Sequence, residues 1–187
     1  MSYINQEKLN QYFGKVWALL KEGVERPFNR TGYIIVDKVR ESEWVLDVGC
    51  GKNLLKVLHP LIVGVDPAFD TADYKMTIEE YAKINKRKFD VAFSLGTINF
   101  GPVEIIENQI EVVISMLKPK SRIYWRCNPG LKDHGTKECE EIDFYPWSFE
   151  EHLRLAKKFG YEVKELKWED DGINHSRRIY AEWVRNA

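Results

Sequence analysis

The sequence predicts one doubly wound α/β domain with a mostly parallel sheet. Three observations carry that expectation: short apolar runs recur along the chain, amphipathic segments separate them, and a turn-linked pair of strands closes the sequence. A chain of 187 residues, 44% of them hydrophobic, fits a single domain, residues 1–187, with a proper core.

The N-terminal part reads as helical. Across residues 6–22, Leu9, Tyr12, Phe13, Val16, Trp17 and Leu20 fall on one helix face, and Gly23 ends the pattern. Residues 26–32 are turn-rich, and a second short helix is expected over 33–41. Residues 1–43 thus form a helical cap on an α/β core, residues 44–187. Within the core, residues 44–48 and 61–65 are short apolar runs of the kind that fill buried parallel strands. Residues 74–76 give a brief third strand, 89–94 a fourth and 121–127 a fifth. Thr77-Ile78-Glu79-Glu80 has the form of a capping box and opens a helix to about Asn85. Pro102 suits the start of the next helix, whose stripe is Val103, Ile106, Ile110, Val113, Ile114 and Leu117. Residues 128–147 read as a long polar loop, functional or mobile. Ser148-Phe149-Glu150-Glu151 is a second capping box. Residues 161–168 and 177–183 then form an antiparallel pair joined through a Glu169–Gly172 turn.

Composition narrows the function. Lys plus Arg total 28 and Asp plus Glu total 29, so no long basic track awaits a nucleic acid, and a nucleic-acid partner is not favoured. Cys50, Cys127 and Cys139 are too few and too scattered for a disulfide framework or a zinc site, and no metal is expected. No apolar run approaches ~18 residues and no signal-peptide pattern opens the chain. The sequence reads as a soluble cytoplasmic protein without a membrane partner.

The informative segment is Val45-Leu46-Asp47-Val48-Gly49-Cys50-Gly51, where a buried strand runs into a glycine-bearing turn. Glycine permits positive φ and lets a ligand lie close to the backbone. In open α/β sheets ligands bind beyond the carboxyl ends of the strands. The dinucleotide fingerprint fails because Leu54 stands where its third glycine belongs, which weakens a nicotinamide oxidoreductase reading. Asp47, two residues before the first glycine, would not favour a pyrophosphate but would favour an ammonium group. Asp66 ends the second strand, where a carboxylate can accept hydrogen bonds from both hydroxyls of a ribose. The pair describes a nucleoside site without a phosphate clamp.

These residues resemble the class I S-adenosylmethionine-dependent methyltransferases. Residues 45–51 look like that family's first motif, Asp66 like its ribose-binding acid, residues 89–95 like its fourth-strand motif, and Leu117-Lys118-Pro119-Lys120-Ser121-Arg122-Ile123 like the segment leading to its fifth strand. The resemblance implies a Rossmann-like sheet of seven strands with the last one antiparallel and inserted beside the fifth. It implies S-adenosylmethionine as cofactor, held by Asp47, Gly49, Cys50, Gly51, Asp66, Pro67, Met76, Thr77, Ser94, Leu95 and Gly96. Two departures stand out: Asn53 replaces a further glycine, and residues 67–88 are short, which trims the helix between the second and third strands.

Methyl transfer asks the protein mainly to align a nucleophile with the cofactor, so the sequence names no catalytic residue. Candidates for the acceptor side are Tyr12, Arg30, Asn99, Phe100, Arg126, Asn128 and His134. The Asn/Asp-Pro-Pro-Tyr motif of DNA amino methyltransferases and a Pro-Cys nucleophile are both absent, so a small-molecule acceptor is expected. The alternative is a non-catalytic protein of the same fold that binds the cofactor or a partner. The scattered tryptophans read as packing rather than a base-stacking platform.

Overall fold

A computed structural model describes residues 5–18, 31–170 and 177–186. The N-terminal helix α1 (Gln6–Gln11) is capped by the Asn5 side chain and continues into a π-helical turn, Tyr12–Trp17. Helix α2 is Thr31–Val36, five residues shorter at its C-terminal end than the sequence pattern suggests. The strands are β1 (Val45–Val48), β2 (Ile62–Val65), β3 (Phe89–Leu95), β4 (Leu117–Cys127), β5 (Glu162–Asp170) and β6 (Arg177–Arg185). Helices α3 (Ile78–Ile84), α4 (Val103–Ser115) and α5 (Phe149–Lys158) lie between them.

Among the described residues the sheet has six strands, in the order β2-β1-β3-β4-β6-β5. The first four are parallel, and β6 is inserted antiparallel between β4 and β5. The expectation of seven strands is corrected to six. Tyr74, expected in a third strand, makes only a single parallel bridge to Val65. Residues 66–76 are too few to hold both a crossover helix and a full edge strand. The link from β1 to β2 is equally lean, with one 3-10 turn (Leu54–Val57) in place of a helix. β4 begins at Leu117, earlier than expected, with a register shift against β3 near Pro119, which has no amide proton to give the ladder.

Alternate residues of the strands face opposite layers, as the two-residue period of a strand requires. Leu46, Ala92, Ile123, Trp125, Ala181 and Trp183 join Ile106, Ile110 and Val113 of α4 and Leu155 of α5 in the larger core. Val45, Ile62, Val91, Phe93, Tyr124 and Tyr180 pack under Ile35 and Val36 of α2. Trp125, Trp147 and Trp183 are fully buried, the packing role expected for them. His152, on α5, is wholly buried against the same three rings. Burial pushes its imidazole down to about 3, so it is neutral at physiological pH. His59 Nε2 donates to the Glu43 carbonyl, 2.8 Å away, a structural role.

Residues 128–147 are anchored rather than loose. A 3-10 turn (Lys137–Glu141) forms within them, Arg178 holds Asp133 through two bonds of 2.8 Å, and Phe144 bridges to Phe100. Cys139 and Ile142 pack against Tyr12. Among the described residues no helix is long and apolar enough to cross a membrane.

Both capping-box sequences start helices, but only the first closes as a reciprocal box; at the second the Glu151 carboxylate turns to Tyr145 and Arg154. Thr77 accepts from the Glu80 amide while Glu80 reaches back to the Thr77 amide, and Ser148 accepts from the Glu151 amide at 3.1 Å. Ser148→Ala removes one of these acceptors and should lower stability by about 1 kcal/mol, read as a shifted urea midpoint with an unchanged slope.

Candidate functional site

Strand order reverses at β1, with β2 on one side and β3 on the other, so a crevice opens at their carboxyl ends. The turn after β1 forms one side of it. Gly49 (φ 69°) donates to the Val65 carbonyl at 2.7 Å, and Gly51 (φ 55°) donates to Asp66 Oδ2 at 2.9 Å. Thr97 closes the turn from beyond β3, its hydroxyl donating to the Val48 carbonyl at 2.6 Å. A Cβ on Gly49 would overlap that hydroxyl. Asn53 has φ 56°, the left-handed conformation that asparagine tolerates better than most residues. The glycine missing at this position is therefore replaced without loss of the turn. A Cβ on Gly64 would lie 2.7 Å from Cys50 Sγ, so glycine in β2 makes room for the Cys50 side chain.

Two carboxylates stand on this floor. Asp66 is 7% exposed and its oxygens accept from the Gly51 amide and, at 2.8 Å, from the Ala68 amide. Each oxygen keeps a further lone pair for a ligand. Asp47 is 3% exposed, and no hydrogen bond or cation from the described residues offsets its charge. Burial, and secondarily the Asp66 charge, push its carboxyl up to about 7. Burial and the neighbouring carboxylates push the Cys50 thiol far up, so it is a packed thiol and not a nucleophile.

A cavity of about 480 Å³ covers these groups. Of the expected cofactor residues, Asp47, Gly49, Cys50, Gly51, Asp66, Pro67, Thr77, Leu95 and Gly96 line it. Met76 and Ser94 do not. Met76 packs on the larger core, and the Ser94 hydroxyl accepts from the Ile98 amide at 3.4 Å beneath the surface. Of the expected acceptor residues, Phe100 and Arg126 line the cavity, the latter 3.6 Å from Glu169, which lines it too. Asn99 and Asn128 lie behind the wall in structural roles. Asn99 accepts from the Asn128 amide at 3.0 Å, and Asn128 brackets Leu131 in a turn. Tyr12 and His134 hydrogen-bond to each other at 2.9 Å, outside the lining. Arg30 falls outside the described residues.

The sequence did not single out Phe13, Trp17, Gln6, Asn10 or Thr97, all of which line the cavity. Phe13 and Trp17 share the apolar stripe of the N-terminal helix, and that spacing alone does not separate a cavity wall from a core face. The helix is drawn over the cavity by close packing at Gly14, whose added Cβ would stand 3.2 Å from the Ala68 carbonyl oxygen.

The strand order, the antiparallel insertion of β6 and the crevice at β1 define the Rossmann-like fold of the class I methyltransferases. A scan against protein-family models and a comparison with curated protein sequences find no match. Solved structures match in fold. The 1,6-didemethyltoxoflavin-N1-methyltransferase of Burkholderia thailandensis, with 1,6-didemethyltoxoflavin and S-adenosylhomocysteine bound, aligns at TM-score 0.73 and 11% identity over 97% of this chain and 89% of that one. The magnesium protoporphyrin IX methyltransferase of Synechocystis, with bound S-adenosylhomocysteine, aligns at TM-score 0.64 and 16% identity over 97% and 100% of the two chains. An N-methyltransferase of Bradyrhizobium japonicum, in complex with S-adenosylhomocysteine, aligns at TM-score 0.64 and 11% identity over 97% and 98%. At these identities the likeness is one of fold.

Substitutions at the two glycines of the turn should separate. Gly49→Ala meets both the positive φ and the Thr97 hydroxyl and should cost about 2–4 kcal/mol. Gly51→Ala meets open space and only the backbone penalty, about 1 kcal/mol. Denaturant titration of both variants checks the difference.

The raised Asp47 carboxyl also sets a pH dependence. The folded protein holds a proton there that the unfolded chain releases near its ordinary value, so this group removes stability as pH climbs from about 4 to about 7. Asp47→Asn should gain on the wild type across that window, by at most about 4 kcal/mol above it. Urea midpoints of the two proteins between pH 4.5 and 8 test this; parallel curves would contradict it.

Proposed function

We propose that the chain binds S-adenosylmethionine in this cavity and transfers its methyl group to a small-molecule acceptor. The observation that carries the proposal is the pair of buried carboxylates beside the glycine turn. Among the described residues no cation pairs with Asp47, and the ammonium group of the cofactor's methionine end is one. Asp66 is fixed by two amides and retains lone pairs for the two ribose hydroxyls. The positive-φ turn of Gly49 and Gly51 leaves backbone bare for the ligand to approach. Pro67 and Thr77 lie beyond Asp66 for the nucleoside, and Leu95 and Gly96 close the other side.

The bound cofactor supplies the chemistry, an activated methyl on a sulfonium. This chain's part is alignment: it fixes both ends of the cofactor and encloses the acceptor so that its nucleophile meets the methyl in line. The described lining holds no histidine, and no general base is assigned. The structures of like fold include enzymes whose names give 1,6-didemethyltoxoflavin and magnesium protoporphyrin IX, both small molecules, which supports the acceptor class. Cys50, Cys127 and Cys139 are free thiols, which supports a reducing, cytoplasmic setting.

Titration calorimetry with S-adenosylhomocysteine tests the proposal, with NAD as the control ligand. The wild type should bind S-adenosylhomocysteine and not NAD. Asp66→Ala, its fold checked by circular dichroism, should lose at least about tenfold in affinity, as expected for lost hydrogen bonds to a charged acceptor. Unchanged affinity would remove Asp66 from the site.

A further inference from the structure

We propose that the methyl acceptor is a planar aromatic molecule, held against Phe13, Trp17 and Phe100 with its polar edge on Gln6 and Asn10. The proposal rests on the reading of the cavity given above and adds its substrate class.

The wall that α1 and the π turn place over the cavity is aromatic. Phe13 meets Phe100 with ring centroids 5.3 Å apart and meets Trp17 edge-on at 6.5 Å. The rings are braced from behind. Trp17 stacks on His134 at 4.2 Å and 27°, and Phe100 leans on Phe144 at 5.3 Å. His134 is in turn fixed by the Tyr12 hydroxyl at 2.9 Å. Tyr12 and Trp17 are five residues apart, which in an α-helix puts them about 140° apart, at opposite edges of the apolar face. The π turn, with its wider i to i+5 repeat, brings both rings onto His134. That local departure from an α-helix is what sets the Trp17 ring at the cavity wall. Braced rings lose little freedom on binding and offer flat faces for offset stacking, which aliphatic side chains do not.

The same helix supplies one polar feature to the cavity. Gln6 Nε2 donates to Asn10 Oδ1 at 2.8 Å. This leaves the Asn10 amide nitrogen as donor and the Gln6 carbonyl as acceptor, side by side. Such a pair matches the edge of a heteroaromatic ring that carries an acceptor beside an N–H or O–H. No charged side chain of the described helix lines the cavity. Lys8 and Lys15 border a separate depression on the helix's other side, where Lys8 pairs with Glu141. Arg126 and Glu169, at the far end, offset each other. Among the described residues the cations that line the cavity are Lys52, beside the glycine turn, and Arg126, and neither is on this helix.

The test uses the full chain saturated with S-adenosylhomocysteine and two pairs of probes. 2-Pyridone and phenol are planar; 2-piperidone and cyclohexanol are their saturated counterparts. Calorimetry should show the planar probes binding at least about tenfold more tightly. Trp17→Leu should lower their affinity by about fivefold or more, and Trp17→Phe, which restores a ring, should recover most of it. Equal affinity for the two classes, no measurable binding of either, or no loss in Trp17→Leu overturns the proposal. If the wild type binds S-adenosylhomocysteine normally while the planar probes show no preference, only this inference falls. If S-adenosylhomocysteine itself does not bind, the reading of the whole site falls with it.

Discussion

A carboxylate held out of water without a partner is expensive, and among the described residues Asp47 is such a group. It sits at the carboxyl end of the central parallel strand, one strand away from Asp66. Hydrophobic packing around Val45, Leu46 and Val48 fixes the strand, so Asp47 stays almost wholly buried and meets open space only at the cavity floor. The fold answers the cost by letting the carboxyl keep a proton near neutrality, where an exposed aspartate would not. A cation delivered to the cavity would relieve the same cost. Binding of a cationic ligand and loss of that proton are therefore linked, and the site gains selectivity against anions such as a pyrophosphate.

The turn beside this pair leaves backbone bare toward the cavity. Positive φ at Gly49 and Gly51, asparagine in a left-handed conformation at position 53, and a bare Gly64 beneath Cys50 are all parts of one turn. Thr97 ties that turn to the end of β3. The cavity thus has a polar floor built by the sheet and an aromatic wall built by the N-terminal helix. Gly14 against Ala68 is the close contact that brings them together.

The strands and capping boxes were legible because their signals are local. An apolar run in β1, or Ser148 three residues before Glu151, specifies its own structure. Asp47 and Asp66 were legible as a pair because successive parallel strands end at the same edge of a sheet. The third strand was not: Tyr74 has strand character, but the short connection around it leaves one bridge to Val65. The aromatic wall was hidden for a different reason. Phe13 and Trp17 carry the same periodicity whether they face a core or a cavity, and the π turn that orients them has no plain sequence mark. Asn99, Asn128 and His134 are polar residues near the right strand ends, yet each spends its hydrogen bonds on holding the wall in place.

The central claim is spatial, and a crystal structure of the protein grown with S-adenosylhomocysteine tests it most directly. The account predicts the ribose hydroxyls within hydrogen-bonding distance of the Asp66 carboxylate, the ammonium group beside Asp47, and the sulfur directed toward Phe13, Trp17 and Phe100. A ligand bound elsewhere, or one whose ribose faces away from Asp66 while Asp47 stays without a cation, would contradict it.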